Sequence, residues 1–244
     1  DFVNIQRSDG SASSALFDTN GSVQLRYNNS TKIVRLFLPH QFSGGDFPFE
    51  VGKSISLMKN KRSFGHDGVS TLFLKTALPY IVEPLTYIYN LSIRNCIFPM
   101  RWKVAKVIPL PKTKELNDPN KFRPISLLPA VSKPLERHVH NHLNQFLESN
   151  KLIHPLQSGF RSKHSCHTAL AHLTDRWHAA INNSNMTGAV YLDLTKAFDL
   201  VNHKLMTDKL SVYHVSNDAI TFFNSYLQGR SQYVFVNGRR SSLG

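Results

Sequence analysis

The chain has 244 residues, 41% of them hydrophobic, enough for a packed core and too many for a chain disordered throughout. Lys and Arg number 29 against 16 Asp and Glu, and the resulting +13 points to a polyanionic partner, nucleic acid ahead of membrane. Two cysteines, Cys96 and Cys166, exclude a disulfide framework, and no apolar run reaches the ~20 residues of a membrane span, so a soluble chain with no membrane partner is expected.

Residues 1–48 are polar and turn-rich, with only Ile33 to Leu38 reading as a strand or short helix, so the segment is expected to be a linker or partly ordered. The first residue is Asp1 rather than Met, which suggests an internal piece of a longer protein. From Phe49 to Ser63 the spacing predicts a helix with Val51, Ile55 and Met58 on one face. Lys59, Lys61 and Arg62 follow, and Gly65 and Gly68 mark a turn. Two helical stretches come next, Ser70 to Ala77 and Pro79 to Arg94, the second carrying Ile81, Leu85, Ile88 and Leu91 as a core stripe. Pro99 to Lys103 then leads into a strand over Ala105 to Leu110.

A polar loop runs from Lys112 to Asn120, and Phe122 to Leu128 follows it. Lys112 and Arg123 have two readings: a pair of surface cations, or a phosphate clamp in which Arg123 supplies a bidentate fork and Lys112 a point charge. Lys133 to Glu148 reads as a helix with Leu135, Val139, Leu143 and Phe146 on its apolar side. His138, His140 and His142 lie along it, and without acidic or cysteine partners they read as structural or phosphate-facing rather than metal-binding; the same holds for His164, Cys166 and His167. In Gln157-Ser158-Gly159-Phe160-Arg161-Ser162-Lys163, Gly159 permits close backbone approach, and Arg161 and Lys163 are cations suited to phosphate. Leu170, Leu173, Trp177 and Ile181 then predict a core helix.

Gly188 to Leu192 is a short apolar run that reads as a buried strand, ending at Asp193. That carboxylate either caps the next helix or holds a metal, with Phe198 five residues on and Asp199 behind it. Leu205 to Leu210 and Ile220 to Leu227 read as helices, the second ended by Gly229. Gln232 to Val236 alternates as a strand, and Asn237-Gly238 is a hairpin turn signal, leaving Arg239 to Gly244 for the second strand.

Several of these segments, in this order, resemble the motifs of reverse transcriptases of non-LTR (LINE-type) retrotransposons. They are Ser63 to Val69, Pro99 to Lys112, Phe122 to Leu128, Gln157 to Cys166, Val190 to Asp199, and Ser225 to Val236; together the resemblance covers roughly residues 50–244. Phe64 stands where that family usually has proline, and Cys166 where it usually has threonine.

The resemblance implies an α+β fold of right-hand polymerase architecture, a helix-rich region around a small antiparallel sheet. It implies fingers over about 49–185 and the start of a palm over about 186–244. Asp193, with the backbone carbonyl of Leu194, would hold magnesium as the catalytic residue, and Lys196 would be a neighbouring family residue. Phe198 would gate the sugar, Lys112 and Arg123 would hold the triphosphate, and Gln157, Gly159, Arg161 and Lys163 would lie along template or primer. The implied partners are an RNA template, a DNA primer and deoxynucleoside triphosphates, with further polymerase and endonuclease segments on a longer polyprotein and a nuclear location.

The family's next motifs, a Gly-Val-Pro-Gln-Gly-Ser-like segment and a Tyr/Phe-x-Asp-Asp hairpin, do not occur in these residues. Two magnesium ions need more than one well-placed carboxylate, so the chain is expected to be a fragment that does not polymerise alone. The alternative is a catalytically dead nucleic-acid-binding remnant or domesticated module. A group II intron maturase would need an intron-binding domain that the sequence does not show.

Overall fold

The computed structural model describes residues 3–6, 12–17, 23–27, 30–31, 47–112, 118, 121–194 and 197–244. The expected strand at Ile33 to Leu38, most of the loop before Lys121, and Lys196 lie outside the described residues. The chain divides into two compact units, residues 1–144 with 203–244, and residues 145–202.

The first unit opens with four short strands paired in sequence order as an antiparallel meander: β1 Val3–Gln6, β2 Ala12–Phe17, β3 Val23–Tyr27 and β4 Ser30–Thr31. Helix α1 (Phe47–Ser56) buries Val51 and Ile55 completely. A turn follows, with Gly68 at φ +73°. Gly65 lies so close beneath the chain at Leu128 and Pro129 that an added Cβ would sit 2.7 Å from backbone atoms.

Helix α2 (Thr71–Arg94) is continuous, where the sequence predicts two helices divided before Pro79. Pro79 and Pro84 each remove one amide donor, but both sit on the exposed side. On the other side Leu74, Leu85, Tyr89 and Ile93 are buried, and their packing outweighs the lost bonds. The buried stripe is therefore not Ile81, Leu85, Ile88 and Leu91: Ile88 and Leu91 are exposed, while the Tyr89 hydroxyl reaches inward to donate to the Val131 carbonyl at 2.6 Å.

A second sheet has the order β6-β5-β7-β8, formed by β5 (Val104–Pro111), β6 (Phe122–Leu127), β7 (Ser231–Val236) and β8 (Arg239–Arg240). It is mixed rather than antiparallel: β5 pairs with β6 and β7 with β8 as antiparallel hairpins, whereas β5 and β7 run parallel, Val104 opposite Ser231 and Val107 opposite Val234. Hairpin turns impose antiparallel pairing, but the long stretch between β5 and β7 leaves their direction to packing. Asn237 and Gly238 both adopt positive φ, +49° and +78°, as a primed two-residue turn requires.

Phe98, only 1% exposed, is the hub of an aromatic cluster, meeting Trp102, Phe222 and Tyr226 edge-to-face. Its amide donates to Ser225 Oγ at 2.9 Å, which ties the start of the sheet to α6 (Asn217–Leu227). Helix α5 (His203–Val212) precedes α6. Lys106, buried on β5, has its ammonium 4.3 Å from the Phe64 ring centroid and 4.1 Å from that of Phe235. Phe64, where the motif usually has proline, thus covers a buried cation.

Helix α3 (Lys133–Ser149) buries Leu135 and Val139. The His138 and His142 rings lie 4.4 Å apart, and burial followed by the His142 charge pushes the His138 pKa down to about 4.

The second unit contains α4 (Cys166–Asn182), opened by a capping box in which Ser165 Oγ accepts from the Thr168 amide and Thr168 Oγ1 from the Ser165 amide. No residue of α4 is buried, so Leu170, Leu173, Trp177 and Ile181 are not a core stripe. Nor do residues 188–194 form a strand; Val190, Tyr191 and Leu192 are exposed coil. Both differences have one physical cause. Periodicity shows which face seeks cover, but burial and a strand ladder both require a partner element, and the described residues of this unit supply none.

Candidate nucleic-acid and nucleotide site

Residues singled out from the sequence fall in both units. Lys112 and Arg123 stand on the β5–β6 hairpin of the first unit. Leu110 faces Arg123 and Pro111 faces Phe122 across the ladder, and the Lys112 amide donates to the Lys121 carbonyl at 2.8 Å to extend it. Alternation along a strand then puts Lys112, Lys121 and Arg123 on one face at the loop end of the hairpin. Lys121 was missed in the sequence, although the hairpin register was the signal that would have found it. Three cations on one short rung-to-rung surface suit a polyphosphate better than a single carboxylate partner.

The second unit holds the Gln157–Lys163 loop. Arg161 is tied into the unit itself: Nε and Nη2 bond the two carboxylate oxygens of Glu148 at 2.9 and 2.8 Å, and Nη1 donates to the carbonyls of His154 and Gln157 at 3.3 Å. The hydrogen bonds from Arg161, and then the Arg161 charge, hold the Glu148 carboxyl below its ordinary range. Arg161 therefore organises this loop, which keeps Phe160 and Lys163 in left-handed conformation at φ +59° and +63°. Lys163 is exposed, Gln157 Nε2 donates to the Gly159 carbonyl at 3.4 Å, and a Cβ at Gly159 would meet no atom within 4 Å.

Asp193 and Leu194 are exposed in the coil that follows Gly188, and Phe198 lies in a turn over residues 197–200. The Phe198 ring meets the Phe160 ring edge-to-face at 6.0 Å, so the candidate sugar gate and the Gln157–Lys163 loop are brought together. Both rings are largely exposed, a conspicuous apolar pair on a basic chain.

Residues 110–242 match the family described as Reverse transcriptase (RNA-dependent DNA polymerase). The chain belongs to the reverse transcriptase family. It is 33% identical over 162 residues to the "Probable RNA-directed DNA polymerase from transposon BS" of Drosophila melanogaster, covering 66% of this chain and 18% of that protein. Over 184 residues it is 28% identical to the "Probable RNA-directed DNA polymerase from transposon X-element" of the same organism, 75% of this chain and 20% of the other. With the "RNA-directed DNA polymerase from mobile element jockey", also of Drosophila melanogaster, it shares 29% over 195 residues, 80% and 21% respectively. The resemblance to the non-LTR class is borne out, and this reverse transcriptase segment spans about a fifth of the length of these relatives.

Reverse transcriptases generally use magnesium. Asp193 and the Leu194 carbonyl are hard oxygen donors of the right kind, but among the described residues no group of three His, Cys, Asp or Glu side chains could hold a metal ion. A single exposed carboxylate does not make a two-ion site.

Proposed function

We propose that this chain supplies the fingers, about residues 49–185, and the start of the palm, about 186–244, to an RNA-directed DNA polymerase of a non-LTR retrotransposon. Residues 1–48 would be the linker or partly ordered segment before it, and the β1–β4 meander favours the second of these. The observation that carries the reading is the order of motifs from Lys112 through Arg123, Arg161 and Asp193 to Arg230, all inside the family match over residues 110–242. The substrates are an RNA template, a DNA primer and deoxynucleoside triphosphates. The primer's 3′-hydroxyl attacks the α-phosphate and pyrophosphate leaves.

The cations at Lys112, Lys121 and Arg123 would neutralise the triphosphate, and their common face fits that task. Phe198, braced by Phe160, would press on the incoming sugar. Arg161 would set the loop from which Gln157, Gly159 and Lys163 meet the template or primer. Asp193 and the Leu194 carbonyl would bind magnesium once the missing carboxylates are provided by the rest of the polyprotein, where endonuclease segments and a nuclear location are also expected.

The test is Asp193→Ala in the longer polyprotein, followed by primer extension on an RNA template and by RNA binding. Synthesis should disappear while RNA affinity stays nearly unchanged. Undiminished synthesis would refute the role of Asp193, and RNA binding with no synthesis by the unaltered polyprotein would favour the dead remnant. The 244-residue chain by itself should give no magnesium-dependent extension.

A further inference from the structure

Two cations from distant parts of the sequence meet at the β5–β7 end of the second sheet, outside the sites assigned above. Lys103 immediately precedes β5 and is only 4% exposed. Its backbone is fixed on both sides: its amide donates to the Met100 carbonyl at 3.0 Å, and its carbonyl accepts from the Ser231 amide at 3.4 Å. Arg230 immediately precedes β7, after a turn in which Gly229 takes φ +64°. Its Nε donates to the Tyr226 carbonyl at 3.0 Å, and its guanidinium lies 4.4 Å from the Tyr226 ring centroid. The guanidinium is thus oriented before any ligand arrives.

Both side chains line one cleft of about 390 Å³, with Ser126 and Gln232 beside them. Among the described residues neither Lys103 nor Arg230 forms an ion pair with an Asp or Glu side chain, and the residue nearest to supplying an anion in the cleft is Gly244, whose backbone is held to Gln232 on β7. A buried ammonium beside a second cation is unfavourable unless an anion joins them. Burial, and then the Arg230 charge, lower the Lys103 pKa, as expected of a basic pair awaiting its counter-charge. Ala105, Leu128, Ser231 and Gly244 make up the rest of the lining, and the Ser126 hydroxyl and Gln232 amide add side-chain donors beside the two cations that suit phosphate oxygens.

We propose that Lys103 and Arg230 form a binding site for a backbone phosphate of a nucleic-acid strand, at the junction of β5 and β7. The choice of a nucleic-acid strand rests on the polymerase reading above; the anion chemistry does not. The pair acts as a point charge and an oriented fork on one phosphate, and fixes a strand against the sheet end.

Two measurements on the full chain test it, with Lys103→Met, Arg230→Gln and the double variant. Arg230→Gln leaves the buried lysine in place and keeps a polar side chain at the cleft, and far-ultraviolet circular dichroism checks that each variant is folded. In the first, melting temperature is compared in potassium phosphate and in potassium chloride of equal ionic strength. Phosphate should raise it for the unaltered chain and not for the double variant. In the second, fluorescence anisotropy follows a labelled single-stranded RNA across a range of salt. The double variant should bind about tenfold more weakly, and its slope of log affinity against log salt should shrink by about 0.7, one phosphate's worth. RNA binding with an unchanged slope and affinity in the double variant would overturn the site and leave the polymerase reading intact. A phosphate-dependent rise without RNA binding would overturn the strand as its ligand and weaken that reading too.

Discussion

Replacing His138 by leucine should flatten the acid side of the protein's stability curve. His138 is half-buried on α3 against His142, and its folded-state pKa falls from 6.5 to about 4. The charged groups felt at this pair are His142 itself and Glu50, which opposes the burial effect at His142. Because the folded pKa is depressed, the unfolded chain binds more protons between pH 6.5 and about 4, and stability falls as pH drops through that window. For a single site these two values give about 2 kcal/mol lost at a pH of about 5 relative to neutrality. Solvent reaching the half-exposed ring reduces this to about 1–2 kcal/mol. Urea denaturation of the unaltered chain and His138→Leu, each at neutral pH and near pH 5, measures the term as a difference of differences. The variant should lose less stability on acidification by that amount, with unchanged m-values. Equal losses in the two proteins would refute the assignment of the buried neutral imidazole.

Phe98→Ala should cost about 3–5 kcal/mol, read as a lower denaturation midpoint, because it empties the centre of a cluster that Trp102, Phe222 and Tyr226 share. Gly65→Ala forces a methyl group against the backbone at Leu128 and Pro129, and a loss of about 1–3 kcal/mol by the same measurement is expected. Ser165→Ala removes one half of the capping box of α4; amide exchange at residues 166–169 should quicken, with about 1 kcal/mol lost locally.

Much of the fold was legible because its signals were local. The Asn237-Gly238 turn needs positive φ at two adjacent residues, and few pairs other than Asn-Gly supply it; the hairpin forms where it was expected. Helix α3 followed from the spacing of Leu135 and Val139. What failed was non-local. The apolar run before Asp193 predicts a strand, yet a strand exists only where another edge meets it, and no residue within the run names that edge. The parallel direction of β5 and β7 was equally hidden, since each strand reads the same in either orientation. At the candidate site, residue type told which side chains are cations but not what they touch. Arg161 and Lys163 look alike in sequence, and the difference lies in Glu148, which stands thirteen positions before Arg161.

The parallel pairing of β5 with β7 joins positions 127 apart, as does the bond from Phe98 to Ser225. Closing a loop of that length costs about 4 kcal/mol of chain entropy before a single rung is gained. The β5–β6 hairpin can form as soon as residue 127 is available, but its outer edge stays bare until residues 231–234 arrive. During synthesis, Ala105 and Val107 therefore spend the whole translation of the second unit without their final neighbour. That interval is when this chain is most exposed to pairing with the wrong strand, and chaperone capture of nascent chains should peak within it.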